Sequence, residues 1–274
     1  MWRELTIILN QQNNPIGFFD SGVGGLTVLA AFRKILPQED CIFFGDTKNM
    51  PYGEKTKEQL IAYSSKAFEF FEEQGVKAVV MACNTTSAVV YEELKDKFNF
   101  KLYPLIQSVS KVLAGLPISR IGVFATPATI NSHAYSKGIN FYNNKIDVIE
   151  IACPQWVKIV EDKALNTSEA LQSVKIGMEE MLKHKPEKIV LGCTHYPYLI
   201  EHLSKFAPEN IFINPAEAYV NFIKNDLDDM RLLTTSKNCG YDKFYVSSSP
   251  ERFIAASEMF YEVDKCEILR CYCC

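Results

Sequence analysis

The sequence predicts an α/β protein: two similar three-layer α/β domains with mainly parallel sheets and an active site in the cleft between them. Three observations lead there. Short apolar runs alternate with helical patterns along the whole chain, joined by short connections. The run Val76 to Ala82 is apolar on both faces, as a central strand of a parallel sheet must be. One strand-and-turn pattern occurs twice: Lys77-Ala78-Val79-Val80-Met81-Ala82-Cys83-Asn84-Thr85 can be laid over Glu187-Lys188-Ile189-Val190-Leu191-Gly192-Cys193-Thr194-His195. That spacing is too long for a solenoid repeat and fits two related domains, each presenting one cysteine at a strand end.

The elements follow in order. The first fourteen residues read as an appendage, with Gln11 to Asn14 as a polar spacer. Ile16 to Phe19 is a strand, closed by the turn Asp20-Ser21-Gly22-Val23-Gly24-Gly25. A helix from Leu26 stops near Pro37. Cys41 to Phe44 is a strand, and Pro51-Tyr52-Gly53 a turn. Lys57 to Gln74 has helical period, with Leu60, Ile61, Ala67, Phe68 and Phe71 on one face and Gly75 at the C-terminal cap. After the strand Val76 to Ala82, the segment Cys83-Asn84-Thr85-Thr86-Ser87 opens a helix running through Leu94. Lys101 to Ile106 and Arg120 to Phe124 are strands. Ala125 to Thr129 reads as a loop, with a helix from Ile130. Asp147 to Ile151 is a strand, Thr167 to His184 a helix, and Lys188 to Leu191 a strand ending at Gly192-Cys193-Thr194-His195. Helix, strand (Ile211 to Ile213) and helix complete the pattern. No Pro/Gly/Ser-rich linker separates two halves. The domain boundaries are therefore expected where the main chain crosses over, with 1–106 and 214–274 forming one domain and 107–213 the other.

Composition narrows the function. The chain has 274 residues, is 47% hydrophobic and 23% charged, and carries a formal net charge of −4. Disorder is excluded on those figures, and a general nucleic-acid binder would show a basic balance. No apolar run approaches a membrane span, and Leu5 to Leu9 is too short for a secretory core. A cytoplasmic protein with reduced thiols is expected. Its nine cysteines are an odd number that intramolecular disulfides cannot exhaust. Composition leaves them open as buried fillers, metal ligands or catalytic thiols.

In open α/β sheets, ligands bind beyond the carboxyl ends of the strands. Asp20-Ser21, Asp46 with Pro51-Tyr52-Gly53, Cys83-Asn84-Thr85 and Cys193-Thr194-His195 all arrive there. A helix N-terminus favours a thiolate, and neighbouring Asn and Thr offer donors to an anionic ligand. The turn after Asp20 lacks both the G-x-G-x-x-G spacing and the Gly-Lys-Ser/Thr of a phosphate loop. It reads either as a capped strand-to-helix turn or as an aspartate aimed at the site. Cys271, Cys273 and Cys274 lack a C-x-x-C pair and a histidine pair, so no metal site is expected. Cys41, Cys153, Cys239 and Cys266 read as structural, and His133, His184 and His202 as surface or packing residues.

At these motifs the chain resembles the bacterial glutamate racemases, within the aspartate/glutamate racemase superfamily. The matching stretches are FDSGVGGLTVL (19–29), FGD and PYG (44–46 and 51–53), ACNTTSA (82–88), IGVFATPATINSHAY (121–135), ACPQWVKIVE (152–161) and LGCTHYP (191–197). The resemblance implies racemisation of glutamate by two thiols working on opposite faces of the α-carbon, one as thiolate base and the other as thiol acid. It assigns these roles to Cys83, acting on the D-isomer, and Cys193, acting on the L-isomer. A thiol suits the task because its ordinary pKa of about 8.5 can be tuned for transfer in both directions. By the same likeness Asp20 is the carboxylate near the first thiol, and Glu161 and His195 stand near the second. Asp20, Ser21, Pro51, Tyr52, Gly53, Asn84, Thr85, Thr126, Thr129, Thr194 and His195 match substrate-contacting positions. No cofactor is implied. A homodimer and a role in supplying D-glutamate for peptidoglycan are.

The sequence departs from the pattern in two places. Thr47-Lys48-Asn49-Met50 stands where the family commonly has an arginine, and Pro104 to Val109 lacks a usual Pro-Gly or Pro-Ala. Two other readings use the same residues: a racemase of aspartate or another amino acid, and a catalytically silent binding or regulatory protein. Against the latter, Cys83, Cys193, Asp20 and His195 are all present.

Overall fold

A computed structural model describes residues 11–269. The Leu5 to Leu9 run and the cysteines at 271, 273 and 274 lie outside the described residues. The strands are β1 (Ile16–Asp20), β2 (Cys41–Gly45), β3 (Ala78–Met81), β4 (Lys101–Pro104), β5 (Arg120–Ala125), β6 (Asp147–Ala152), β7 (Lys188–Gly192), β8 (Phe212–Ile213), β9 (Asp242–Val246) and β10 (Glu267–Ile268). They form two sheets, ordered β10-β9-β2-β1-β3-β4 and β6-β5-β7-β8. Every strand pair among the described residues is parallel.

The two sheets share an order. In each, the first strand lies between the second and the third, with the fourth outside the third. β1 and β5 are thus the points where the chain reverses its direction of travel across the sheet. A crevice opens there at the carboxyl edge, because the flanking connections leave on opposite faces. The repeated sequence pattern occupies equivalent places, since Cys83 and Cys193 each follow the third strand of their sheet.

Packing explains the layers. β1 is buried on both faces. Phe19, with Phe44 and Met81, packs toward Leu60, Phe68 and Phe71 of helix Lys57–Glu73. Phe18, with Phe43 and Val80, packs toward Leu26, Leu29 and Phe32 of helix Leu26–Ile35. Helix Lys57–Glu73 begins in a capping box between Thr56 and Gln59 and gives way at Gly75, whose φ of 65° is open to glycine at little cost. Helices Leu105–Ala114 and Ala216–Asp229 pack on each other and carry the apolar core from one sheet to the other. No helix among the described residues is long and apolar enough to cross a membrane.

Four expectations need correction. The strand expected over Lys101 to Ile106 ends at Pro104, and a helix starts at Leu105. Leu105, Ile106, Val109 and Leu113 are buried at helical spacing, which a short apolar run cannot distinguish from a strand. Ala125 to Thr129 is not a loop: β5 includes Ala125, and helix Pro127–Ser132 starts on Pro127, a residue whose fixed φ suits a first helical turn. The spacer before β1 is tied down, with Gln12 Nε2 donating to the Arg231 carbonyl at 2.7 Å and Asn14 Nδ2 to the Gly75 carbonyl at 2.9 Å. Cys239 is exposed, unlike Cys41 and Cys153, which are buried; it sits on the irregular connection before β9.

Candidate active site

A cavity of about 1100 Å³ lies at the carboxyl edges of both sheets. Strand register builds its walls. Phe19 pairs with Met81, so Asp20 and Cys83 emerge together from β1 and β3. Ala125 pairs with Gly192, so Thr126 and Cys193 emerge together from β5 and β7. Both thiols line this one cavity, with Ser21, Pro51, Tyr52, Gly53, Asn84, Thr85, Thr126, Glu161, Thr194 and His195. Asp20 and Thr129 do not line it; both are fully buried behind its wall.

Cys83 is the cap residue of helix Asn84–Val89. Its Sγ lies 3.7 Å from Ser21 Oγ. The sequence predicts that a helix start lowers a thiol pKa there, but the Cys83 thiol is pushed up to about 11. Burial is the largest cause and the charge of Asp20 adds to it, outweighing the hydrogen bonds from Thr86 and Ser21. Asp20 itself is raised by burial, against the pull of His195 and the Gly22 N–H. That N–H donates to Asp20 Oδ1 at 2.9 Å, so Asp20 also organises the turn that follows it. Asp20 is thus both the turn cap and a carboxylate beside the thiol.

Cys193 opens differently from its counterpart. It leads into a short 3-10 turn, Tyr196–Leu199, instead of an α-helix, so the expected helix N-terminus is absent there. A histidine stands in its place. Cys193 Sγ lies 3.8 Å from His195 Nδ1, and His195 Nε2 lies 3.0 Å from Glu161 Oε1. Burial lowers the His195 pKa, but the Cys193 sulfur and the Glu161 carboxylate outweigh it and hold the imidazole up at about 10. The imidazole thus bridges the Cys193 sulfur and the Glu161 carboxylate.

Hydroxyl and amide groups line the remaining wall. Thr85 Oγ1 and Thr126 Oγ1 are 2.9 Å apart, joining the two sheets' loops. Thr129 Oγ1 lies behind them, 3.1 Å from Thr126 Oγ1. Tyr135 donates to Asn84 Oδ1 at 2.7 Å, which leaves the Asn84 amide N–H₂ buried with no protein partner. A buried donor of this kind is costly unless a ligand accepts from it. Pro51 follows a cis peptide bond, and Tyr52 Oη donates to Asp46 Oδ2 at 2.5 Å, fixing the Pro51-Tyr52-Gly53 turn against the cavity. The arrangement offers two thiols, each with its own charged neighbour, and donors suited to carboxylates between them.

Sequence reasoning missed the outer wall. Gln155, Lys158, Glu169, Gln172 and Ser173 also line the cavity. They lie on or beside helices Trp156–Glu161 and Ser168–Lys183 as ordinary polar surface residues, and no local signal separates them from their neighbours.

The Asp/Glu/Hydantoin racemase family model matches residues 27–223. A glutamate racemase of Thermoanaerobacter sp. (strain X514) is 37% identical over 247 residues, covering 89% of this chain and 92% of its own. The crystal structure of glutamate racemase from Francisella tularensis subsp. tularensis SCHU S4 in complex with D-glutamate superposes with a TM-score of 0.87 at 33% identity. It covers 94% of this chain and 98% of that one. Glutamate racemase isoform RacE1 of Bacillus anthracis gives a TM-score of 0.89 at 27% identity, with the same coverage.

Proposed function

The chain belongs to the Asp/Glu/Hydantoin racemase family, and from that premise we propose that it is a glutamate racemase that interconverts the enantiomers with two cysteines and no cofactor. The observation that carries this reading is the convergence of Cys83 and Cys193, from equivalent strands of two sheets, on one cavity. The domains we assign, 1–106 with 214–274 and 107–213, put one thiol in each.

Racemisation removes the α-proton from one face and returns another to the opposite face. With L-glutamate, Cys193 as thiolate takes the proton and the Cys83 thiol donates one; with D-glutamate the roles exchange. Each turnover leaves the protonation of the pair reversed, and solvent resets it. His195, held by Glu161, stabilises negative charge on Cys193. Asp20 sits near Cys83 behind the cavity wall, where its charge balances the substrate's ammonium without touching it. Entry of that cation offsets the two effects that hold the Cys83 thiol high, burial and the Asp20 charge. Ser21, Asn84, Thr85, Thr126 and Thr194, with the Pro51-Tyr52-Gly53 turn, hold the two carboxylates, and Thr129 supports Thr126. Proton transfer is the whole of the chemistry, so thiol, thiolate and imidazolium suffice. The proposed role is the supply of D-glutamate to peptidoglycan synthesis by a cytoplasmic homodimer.

Circular dichroism of L-glutamate, and separately of L-aspartate, incubated with the reduced protein tests the activity. Decay of the glutamate signal to zero is expected. Decay with aspartate alone would move the assignment to an aspartate racemase, and no decay with either would overturn the racemase reading. Cys83→Ser and Cys193→Ser are each expected to lose racemisation by at least about a thousandfold. Each should also lose α-deuterium exchange from one isomer more than from the other. Undiminished activity in both variants would contradict the two-thiol assignment.

A further inference from the structure

We infer that Thr27 is a positioning residue for the reaction: its hydroxyl, on the first sheet's leading helix, fixes the backbone that carries Cys193. The inference rests on the two-thiol racemase reading above. Thr27 Oγ1 donates to the Thr194 carbonyl at 3.1 Å and reaches Tyr198 Oη at 3.5 Å. Thr194 lies between Cys193 and His195, so this bond clamps the main chain of the Cys193 loop from the opposite sheet.

The clamp has a second part. A Cβ on Gly24 would fall 2.3 Å from Thr194 Oγ1 and 2.4 Å from the His195 ring. Only a residue without a side chain allows the turn to press this closely on the loop. Thr27 is held in register with Gly24, because its N–H donates to the Gly24 carbonyl at 3.0 Å. The same turn begins at Asp20 and Ser21, and Ser21 Oγ lies 3.7 Å from Cys83 Sγ. One continuous segment, 20–27, therefore touches Cys83 at its start and the Cys193 loop at its end. Eight residues of local backbone thus link the two thiols directly, beside the Thr85–Thr126 contact between the sheets' loops. Proton transfer is sensitive to donor–acceptor distance, and a shift of an ångström at one thiol is enough to slow it.

The isotope effect distinguishes this role from general stabilisation. In the L-to-D direction the Cys193 thiolate takes the substrate's own α-hydrogen, and the Cys83 thiol delivers a solvent-derived one. In the D-to-L direction the Cys83 thiolate takes the substrate's hydrogen and the Cys193 thiol delivers. A displaced Cys193 makes its own step more rate-limiting in both directions. The primary deuterium effect then rises with L-[2-²H]glutamate and falls with D-[2-²H]glutamate.

The experiment measures kcat/KM and both isotope effects for the wild type, Thr27→Val and Thr27→Ser. For Thr27→Val, kcat/KM is expected to fall about tenfold, equally in both directions because the enantiomers are equal in energy. The isotope effects should move apart in the sense given, and Thr27→Ser should restore both. Thr27→Ala, which removes the hydroxyl without adding bulk, carries the same expectation should the valine variant fail to fold. Isotope effects that stay at wild-type values in the Thr27→Val or Thr27→Ala variant, whether or not activity falls, would overturn the inference alone. A wild type that leaves glutamate unchanged would overturn the racemase reading, and the inference with it.

Discussion

Opposite electrostatic settings surround the two thiols. Cys83 has a buried carboxylate for a neighbour, and Cys193 a buried imidazole held by a carboxylate. The raised His195 pKa has a definite consequence for pH. Its folded value of about 10 lies above the ordinary 6.5. The stability it contributes is present in full below about 6.5 and is lost as pH rises toward 10. Glu161→Gln removes one of the two groups that raise it, so the His195 value falls and the imidazolium is lost at lower pH. The alkaline limb of the kcat/KM profile should move to lower pH, with activity there down about tenfold, and thermal stability should decline earlier on the alkaline side. An unmoved alkaline limb would show that His195 does not supply charge to Cys193. At this scale the sequence was legible where chemistry is written in residue type: Cys83, Cys193, Asp20 and His195 stood out at strand ends, whereas Glu161, inside a helix, was pointed to only by the family resemblance. Cys83, Cys193, Glu161 and His195 line one cavity, with Asp20 buried behind its wall. The direction of the Cys83 shift was not legible, because burial is a property of the assembled walls and outweighs a helix N-terminus only six residues long.

The elements hold the site by their ends. β1 and β3 deliver Asp20 and Cys83, and a buried ion pair anchors the opposite edge of the same sheet. Lys77 Nζ, just before β3, lies 2.5 Å from Glu39 Oε2, and both side chains are essentially unexposed. Lys77 also donates to the Gln12 carbonyl at 2.6 Å, and the Thr234 N–H donates to Glu39 Oε1 at 2.7 Å. Four segments distant in sequence meet there, with every charge paired. Lys77→Met leaves Glu39 buried and short of its cation, and a loss of about 3–5 kcal/mol is expected from urea unfolding. The double variant Lys77→Met/Glu39→Leu should recover most of it, whereas a loss in the double variant as large as in the single would assign the cost to packing. Nothing in the sequence around Lys77 marks it as buried, since a lysine before a strand is ordinarily solvated. Element type was readable wherever an apolar period ran long, as in Lys57 to Gln74. It failed at Leu105 and at Pro127, where strand and helix meet with no turn residues between them.

The molecule repeats one plan twice. Both sheets place their first strand between the second and third, and both send a cysteine from the third strand toward a shared cavity. This duplication was visible in the sequence as the echo between 77–85 and 187–195. The cleft between two domains was expected with it, but its outer wall, including Lys158 and Gln172, was not legible, because nothing local says which polar surface residues face the cavity. Two thiols on one plan, brought in from two sheets, suit a reaction whose substrate and product are mirror images. The most direct test of this account is a crystal structure of the protein with D-glutamate bound. The account predicts the α-carbon between the two sulfurs, with Cys83 and Cys193 on opposite faces and each Sγ within about 4 Å of it. Both sulfurs on one face, or an α-carbon bound out of reach of either thiol, would contradict it.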